Sequence, residues 1–265
     1  MGAAIGAALR AGGRRVVWAS AGRGPATRQR AADAGLEDLG ELAAVCAASD
    51  VILSVVPPGE AAAVAAAIAG FDGIYVDANA ISPSTARGVS AVVSAAGAKC
   101  VDGSIIGRPP AAFGDTRLYL SGPDAEEVVA LFSGTVVDAR IAGPDIGDAS
   151  AVKVAYAGWT KGTAALLLTL REYAARAGVD AVLLQEWSES QPALAAQLTA
   201  AASAADKKGW RWVAEMREIS SALEQLGLPP GFHQAAAEVY AGEVKKEPHP
   251  PIGASAARSG TGRLG

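Results

Sequence analysis

Aromatic residues and cysteines are scarce in this 265-residue chain. Aromatic side chains make up 5% of the sequence, so a core must be built mainly from Ala, Val, Leu and Ile. Hydrophobic residues still reach 51%, enough for a sizeable core, and an Ala-rich core favours helical and α/β folds. The two cysteines, Cys46 and Cys100, lack metal-ligand spacing, so we expect free thiols in a reducing compartment.

The chain also lacks an excess of basic charge. Its net charge of -4 gives no electrostatic basis for binding nucleic acid. No apolar run reaches membrane-spanning length, and the N-terminus has no signal-peptide pattern. We therefore expect a soluble, cytoplasmic protein that binds neither nucleic acid nor a membrane. The two histidines, His233 and His249, are poor candidates for a catalytic pair.

Strand and helix patterns alternate up to about residue 146, which predicts an α/β domain with a doubly wound parallel sheet. The predicted strands are 15–19, 50–56, 74–77, 99–102, 118–120 and 136–137. The predicted helices are 2–12, 25–34, 39–48, 60–69, 82–96 and 123–132, with Ser82 as a cap. The stretch 103–114 is predicted to be a loop.

Only helical patterns follow residue 146. The longest, 148–177, ends at Gly178, a suitable C-terminal cap. Further helices are predicted at 180–190, 192–205, 209–226 and 230–242. We therefore predict a dinucleotide-binding domain at 1–146, an all-helical domain at 147–242 and a disordered tail at 243–265.

The first residues are typical of the end of a glycine-rich phosphate loop that enters a helix. The first two glycines of G-x-G-x-x-G are absent, but the small residues around Gly2 and Gly6 are typical of the end of such a loop, and we expect Gly2 to contact a cofactor phosphate. The strand and the glycines that precede this point in dinucleotide-binding sheets are missing from the sequence. We therefore expect the first strand of the sheet to be absent and cofactor binding to be weakened.

Further cofactor contacts are predicted where strands end, because ligands of open α/β sheets gather at the carboxyl ends of strands. The first predicted strand ends without an acid, at Ser20, and Arg23 follows, where it could meet a 2′-phosphate. Val56, Pro57 and Asn79 end the next two strands, and Asn79 could bind a ribose or an amide. The alternatives are a solvated loop arginine and ordinary turn chemistry.

A substrate loop is predicted after Asp102. Small residues at Ser104 and Gly107 would let backbone N–H groups approach an anion, and Arg108 adds a planar donor fork. An ordinary Gly/Pro loop is an equally good interpretation of this stretch.

Lysine is scarce: the first two hundred residues contain Lys99, Lys153 and Lys161 alone. Lys153 stands among Ala and Val, and it shares a helical face with Thr160 and Lys161. A partly desolvated lysine has a lowered pKa, which suits proton transfer. The alternative is an amphipathic helix whose lysines extend to water.

These motifs together resemble the β-hydroxyacid dehydrogenase superfamily, which includes 6-phosphogluconate dehydrogenase-like proteins. The stretches that carry the resemblance are Met1-Gly2 with the following helix, 76–83, 101–107 and 147–153. Residues 210–216 and 227–233 are similar to a branch that has an uncharacterised helical C-terminal domain. The resemblance implies a Rossmann-type domain followed by an all-α domain.

The resemblance also implies an activity, which is hydride transfer between NADP(H) and a small hydroxyacid or related carbonyl compound. Lys153 matches the family's general acid/base, and Arg23 matches its NADP-selecting arginine, with NAD also possible. The active site is expected in the cleft between the domains. An anionic small-molecule substrate and a homodimer formed through the helical domain are expected, with Trp159, Trp187, Trp210 and Trp212 as core or dimer contacts.

Two departures from the family bear on the substrate. In the D-x-P-V-S-G-G motif, Ile106 and Arg108 replace the serine and the last glycine, and Ser104 could substitute for the serine. Ala157 replaces an asparagine one turn after the lysine, leaving Tyr156, Thr160 or Lys161 to hold substrate. Two alternatives therefore stay open: a catalytically inactive nucleotide-binding or regulatory protein, and an imine or carbonyl reductase.

Overall fold

The computed structural model describes residues 1–243. Within them, an α/β region precedes a region made of helices alone. The strands are β1 (Val17–Trp18), β2 (Glu37–Asp38), β3 (Val51–Ser54), β4 (Ile74–Asp77), β5 (Lys99–Gly107), β6 (Thr116–Ser121) and β7 (Val137–Gly143). The helices are α1 (Gly2–Ala11), α2 (Pro25–Asp33), α3 (Leu42–Ala47), α4 (Ala61–Ala66), α5 (Pro83–Ala95), α6 (Ala125–Leu131), α7 (Asp148–Arg176), α8 (Asp180–Ser190), α9 (Leu194–Gln225) and α10 (Gly231–Glu243).

The main sheet has five strands in the order β3-β4-β5-β6-β7. β3, β4 and β5 are parallel, and their register aligns Ser54 with Asp77 and Asp77 with Asp102. β6 runs antiparallel to β5, because the short connection 108–115 leaves no room for a crossover helix. β1 and β2 pair with each other in a separate parallel sheet. The doubly wound α/β class is confirmed, although the sheet is mixed.

Helices cover both faces of the main sheet. On one face, α1 and α6 pack against the sheet around Ile5 and Val101. On the other, α4 and α5 pack around Val89 and Tyr75. Each fully buried aliphatic side chain of this kind contributes about 1.5–3 kcal/mol. The expected aliphatic core is thus observed. Both cysteines are free thiols, and burial raises the pKa of Cys100 to about 12.

The predicted loop at 103–114 is wrong in its first part, because β5 continues to Gly107 and pairs with β6. Two glycines obscured this strand, and both are required by tertiary contacts. A Cβ on Gly103 would lie 3.1 Å from the Asp77 carbonyl oxygen. Gly107 has φ of 119°, and a Cβ there would collide with the Asp115 carbonyl oxygen.

The helical region is formed mainly by α7, α9 and α10, which enclose Met216, Ile219 and Tyr240. Gly178 has φ of 73° immediately after α7, which confirms the predicted cap. The prediction of two helices at 192–205 and 209–226 is wrong: α9 is continuous over 32 residues. The polar stretch 206–208 faces solvent, so it does not interrupt the helix.

Two of the four tryptophans predicted to be core or dimer contacts lie at the surface of the described chain. Trp159 and Trp210 are 72% and 65% exposed, so a core role for these two is wrong. No described helix combines the length and the apolar character that membrane spanning requires. The predicted disordered tail lies outside the described residues from 244 onward.

Candidate active site

The start of α7 is fixed to the sheet by the carboxylate of Asp102 on β5. This side chain is buried, and its Oδ2 accepts hydrogen bonds from Ser121 Oγ (3.0 Å), Gly147 N (3.0 Å) and Ser150 N (2.9 Å). Its Oδ1 accepts a fourth bond, from Ser150 Oγ, at 2.7 Å. A carboxylate at a helix N-terminus satisfies free N–H groups and is favoured by the helix dipole. Asp102 therefore orients α7 relative to β5.

Gly147 lets α7 begin close to α5. Its φ is 109°, and a Cβ there would lie 2.9 Å from Arg87 Nη1 and 3.2 Å from Pro83 Cβ. Any other residue would strain the backbone and crowd the first turn of α5. The sequence motif Gly147–Lys153 thus has a geometric basis: it sets the position of the lysine.

Lys153 lies one turn after Ser150 and points back to the sheet. Its Nζ donates a hydrogen bond to the carbonyl oxygen of Ile105 on β5, at 2.8 Å. Burial lowers the pKa of Lys153 to about 8, while the charge of Glu215 opposes this shift and that of Lys161 adds to it. A group with this pKa can both give and take a proton near neutral pH.

A small cleft adjoins Lys153 at the junction of the two regions. One wall comes from the residues that follow β4, and the other from facing turns of α7 and α9. The lining residues are Ala80, Ile81, Lys153, Val154, Ala157, Glu215, Glu218 and Ile219. The lysine therefore lies where the carboxyl end of the sheet meets the helical region, as expected for an interdomain site.

Glu218 attaches α9 to the first turn of α5. Its Oε2 accepts hydrogen bonds from Ser82 N (2.9 Å) and Thr85 Oγ1 (3.2 Å). Ser82 itself caps α5 by accepting a bond from Thr85 N at 3.3 Å, which confirms the predicted cap. The negative charge of Glu218 is favourable at this helix N-terminus.

Glu215 lies one turn before Glu218 and pairs with Lys161. The Lys161 Nζ–Glu215 Oε1 distance is 2.5 Å, and the two side chains are only 18% and 12% exposed. Lys161 Nζ also lies 5.8 Å from the centre of the Trp212 ring. The Lys161 carbonyl oxygen accepts a 2.6 Å hydrogen bond from Tyr240 Oη. Lys161 therefore joins α7 to both α9 and α10.

The predicted cofactor residues Gly2, Val56, Pro57 and Asn79 are brought together where β3 and β4 end. A Cβ on Gly2 would be 3.5 Å from the Cβ of Val55, so α1 begins beside this edge. Asn79 Oδ1 accepts a bond from Val56 N (2.6 Å), and Asn79 Nδ2 donates to Ser54 Oγ (3.2 Å). Asn79 is thus a structural link between the two strand ends.

Asp77 and Asp102 are buried carboxyl groups that lie side by side in register on β4 and β5. Asp77 Oδ1 accepts a bond from Asn79 N at 3.0 Å, whereas Asp77 Oδ2 is buried without a hydrogen-bond partner. Burial raises the pKa of Asp77 to about 6, and the charge of nearby Asp102 contributes to the rise.

Ser20 and Arg23 form the turn after β1. The Arg23 side chain is exposed and makes no ion pair with any described residue, so its guanidinium is available to a ligand. Asp38, which the sequence analysis did not assign, lies next to Ser20. Hydrogen bonds from Gly40 N and Ser20 lower the pKa of Asp38 and keep it ionised. This turn therefore offers both a cation and an anion.

The residues at this edge fit a dinucleotide. The free N–H groups of the first turn of α1 face the end of β3, where they favour a phosphate. Arg23, in the separate turn after β1, has a free guanidinium fork of the kind that binds a phosphate. Asn79 and the following Ala80 lead directly from this edge to the cleft at Lys153.

Parts of the chain are similar to known sequences. The family model for DUF1932, a domain of unknown function, matches residues 174–242. An uncharacterized 28.5 kDa protein of Methanothermus fervidus, encoded in the 7S RNA 5′ region, is 30% identical over 171 residues. That alignment covers 64% of this chain and 66% of the relative's length.

Several solved structures have a similar fold over most of the chain. The conserved protein MTH1747, of unknown function and with structural similarity to 3-hydroxyacid dehydrogenases, is 29% identical with a TM-score of 0.69, over 92% of this chain and 93% of that one. The 3-hydroxyisobutyrate dehydrogenase of Mycobacterium tuberculosis is 20% identical with a TM-score of 0.67, over 92% and 90%. A reductive aminase from Aspergillus terreus, solved with NADPH, shares the fold at 19% identity and a TM-score of 0.55, over 92% and 89%.

Residues 174–242 match the DUF1932 family model, and the chain has the fold of the 3-hydroxyacid dehydrogenases. The resemblance drawn from the sequence is thereby confirmed. DUF1932 covers the end of α7 and helices α8 to α10, so it supplies Glu215 and Glu218, whereas Lys153 lies before it.

None of the residues predicted to bind substrate is among the described lining of the cleft beside Lys153. Ser104 and Lys161 come nearest, because Ser104 precedes Ile105 and Lys161 pairs with Glu215. Ser104 lies on β5 beside Ile105, fully buried, with an Oγ that has no hydrogen-bond partner. Gly107 ends β5, away from the described lining of the cleft. Arg108 is exposed and held by Asp115, with Nη2–Oδ1 and Nε–Oδ1 distances of 2.7 and 2.9 Å. Direct substrate contacts by these residues stay predictions.

Tyr156 and Thr160 face outward on α7 and do not line the cleft of the single chain. Thr160 Oγ1 is engaged by the Tyr156 carbonyl oxygen, to which it donates at 3.0 Å. Glu215 and Glu218 were not predicted from the sequence as site residues. Their spacing of three residues on one helix places them on one face, which was the available signal.

Proposed function

We propose that this chain is an NADP-preferring oxidoreductase that transfers a hydride between NADP(H) and a small hydroxyacid or a related carbonyl compound. The observation that carries the proposal is the position of Lys153. Its amine is held by the Ile105 carbonyl oxygen in a cleft that adjoins the edge of the sheet where β3 and β4 end. The fold of the 3-hydroxyacid dehydrogenases and the fit of that edge to a dinucleotide support it.

Lys153 acts as the general acid/base. When bound, the nicotinamide accepts or supplies the hydride at the substrate carbon. In the oxidative direction, neutral Lys153 Nζ takes the hydroxyl proton as the carbonyl forms. In the reductive direction, the ammonium gives a proton to the carbonyl oxygen. The Ile105 carbonyl oxygen accepts one hydrogen of Nζ and so fixes the orientation of the amine. The remaining hydrogens or the lone pair of Nζ can then face the substrate.

The preference for NADP rests on Arg23, whose exposed guanidinium suits a 2′-phosphate. NAD is retained as a second cofactor because of Asp38, which lies beside Ser20. A carboxylate at this place could bind ribose hydroxyls.

A homodimer formed through the helical region is part of the proposal. One side of α7 carries an exposed apolar row at helical spacing, and no described residue covers it. This row consists of Tyr156, Trp159, Leu166, Leu170 and Tyr173. Such a contiguous apolar surface favours association. Trp159→Glu is expected to convert the dimer to a monomer in sedimentation velocity, whereas Arg176→Glu, outside the row, should leave the dimer intact.

An imine or carbonyl reductase is the second candidate, because Ala157 gives no polar contact for a hydroxyacid and a reductive aminase has the same fold. NADPH fluorescence titration followed by a screen of hydroxyacids, aldehydes and imines tests both. Lys153→Ala should lower kcat about 10²- to 10⁴-fold while the Kd for NADPH stays within about twofold. A folded chain that binds no NADPH would contradict the proposal. Unchanged turnover in Lys153→Ala would contradict the acid/base role.

A further inference from the structure

A second cavity lies at the amino ends of β1 and β2, opposite to the turn that carries Ser20 and Arg23. It is open to solvent and has a volume of about 380 Å³. Sites for small molecules begin at about 300 Å³, so a small ligand fits. The lining residues are Arg10, Gly13, Arg14, Arg15, Val16, Gly35 and Glu37. No residue of the candidate active site is among them, and we call this site the arginine cavity.

Two of its three guanidinium groups are held in place by the protein. Arg10 Nη1 donates a 3.0 Å hydrogen bond to the Ala34 carbonyl oxygen, and a Cβ on Gly35 would collide with this Nη1. Arg15 donates to both carboxylate oxygens of Glu37, with Nη2–Oε1 and Nε–Oε2 distances of 2.6 and 2.8 Å. A guanidinium has five N–H donors, so both arginines keep donors that no described residue uses.

The third guanidinium, that of Arg14, is exposed and makes no hydrogen bond or ion pair with any described residue. Three arginines and one glutamate line the arginine cavity, which gives a local charge of 3 − 1 = +2 in a chain whose net charge is -4. The C-terminal ends of α1 and α2 also lie on this side, and each adds about half a negative charge at most. These helix ends do not cancel the unpaired charges of Arg10 and Arg14.

We propose that the arginine cavity binds a small anion that contains two linked phosphate groups, of the pyrophosphate class. Guanidinium forks match phosphate oxygens, and the held positions of Arg10 and Arg15 reduce the entropy lost on binding. Arg14 is free to close over the ligand. Val16 is the one apolar side chain of the lining, so the cavity offers little to an aromatic or aliphatic group.

An extended polyanion such as nucleic acid is not the expected ligand, because the excess of positive charge is local and the chain as a whole is negative. The inference does not depend on the proposed oxidoreductase activity. The arginine cavity and the cofactor edge lie at opposite ends of β1, and they share no lining residue.

The alternative is that each arginine has a separate structural role. Arg10 would then cap α2, Arg15 and Glu37 would join the starts of β1 and β2, and Arg14 would be hydrated. The two possibilities differ in the effect of Glu37. A bound anion competes with the Glu37 carboxylate for Arg15, so Glu37→Gln should strengthen anion binding, whereas a purely structural pair predicts no saturable binding with or without Glu37.

The test is isothermal titration calorimetry of the NADPH-saturated chain with sodium pyrophosphate at pH 7. Bound NADPH excludes pyrophosphate from the cofactor edge. We expect one saturable site, with orthophosphate and malonate binding at least about fivefold more weakly because they offer less charge or fewer acceptor oxygens. Arg14→Ala should raise the Kd for pyrophosphate at least about fivefold, and Glu37→Gln should lower it about twofold or more.

Arg176→Ala removes an exposed arginine at the end of α7 and serves as the matched control; it should leave the Kd for pyrophosphate unchanged. Arg14 makes no contact that the fold requires, and circular dichroism melting verifies that its variant is folded. The absence of saturable binding, an unchanged Kd in Arg14→Ala, weaker binding in Glu37→Gln, or equal affinities for malonate and pyrophosphate would overturn the inference.

Failure of the proposed function has a different outcome. If the chain does not bind NADPH, the oxidoreductase proposal fails. The titration is then made on Arg23→Ala, in which a further Arg14→Ala change should still weaken pyrophosphate binding. If NADPH binds and displaces pyrophosphate competitively, the anion belongs to the cofactor edge, so the oxidoreductase proposal stands and the assignment of the arginine cavity is wrong.

Discussion

The hydroxyl of Ser150 donates a 2.7 Å hydrogen bond to the buried carboxylate of Asp102, and this pair joins the helical region to the sheet. Ser150 lies on the first turn of α7, three residues before Lys153, and Asp102 lies on β5, three residues before Ile105. The bond from Lys153 Nζ to the Ile105 carbonyl oxygen therefore closes a second link between the same two elements. The position of Lys153 and the packing of α7 against the sheet are therefore set together.

Asp102→Asn should destabilise the protein and displace Lys153. The amide keeps the volume of the carboxylate but removes the charge that several N–H and O–H donors share, at a cost of about 1.5–3 kcal/mol in the free energy of unfolding. Urea denaturation followed by circular dichroism measures this. Asp206→Asn, on the exposed side of α9, is the control and should change the free energy by less than about 0.5 kcal/mol. Equal stabilities would mean that Asp102 does not anchor α7.

The pH dependence of turnover should report the amine of Lys153. Because burial lowers the pKa of Lys153 to about 8, oxidation should accelerate as the pH rises through about 8, where the neutral base forms. Reduction should slow over the same interval, because the ammonium donor is lost. Opposite slopes in the two directions distinguish this group from one that only supports folding.

Glu215→Gln should move that midpoint to lower pH. The carboxylate of Glu215 favours the charged form of Lys153, so its neutralisation lowers the pKa of the lysine further. Lys161→Met removes a like charge and has the opposite direct effect. The pH dependence of acetylation at Lys153, measured by mass spectrometry, gives this pKa without any substrate. An unchanged midpoint in Glu215→Gln would show that the two groups are not electrostatically coupled.

Asp77 should make stability depend on pH in an unusual direction. Burial raises the pKa of Asp77 from 3.8 to about 6, so between these values the folded state binds more protons than the unfolded state. The contribution of Asp77 to the free energy of unfolding therefore falls as the pH rises from about 4 to 6. Asp77→Asn should remove this fall, a relative gain of about 1–3 kcal/mol at pH 7 compared with pH 4. Urea midpoints of both proteins at the two pH values provide the measurement, and parallel pH profiles would contradict it.

Features with local causes could be predicted from the sequence. The Ser82 cap of α5 depends on Thr85, three residues away, and the end of α7 depends on the φ that Gly178 adopts. The features that were missed depend on distant partners. Glu218 acquires its role from Ser82, 136 residues earlier, and no local pattern indicates that bond.

The same distinction explains the errors in strand and helix bounds. Residues 103–107 form a strand because β6 pairs with them, and the two glycines that suggest a loop are there to permit close backbone approach. Lys153 was identified because a lysine among Ala and Val is conspicuous. Glu215 was not, because its partner Lys161 lies on a different helix, α7, and no local pattern indicates that ion pair.

Arg23→Ala should separate the two cofactors. If the Arg23 guanidinium binds the 2′-phosphate, its loss removes a charge-assisted contact that NADPH has and NADH lacks. The Kd for NADPH should rise about tenfold, equivalent to about 1.4 kcal/mol, while the Kd for NADH changes by less than about twofold. Arg14→Ala, before β1 and away from the turn, is the matched control and should affect neither. Because Asp38 lies beside the same turn, Asp38→Asn should act in the other direction, weakening NADH binding and sparing NADPH. Equal losses of both cofactors in Arg23→Ala would assign the arginine to the shared pyrophosphate or to the turn itself.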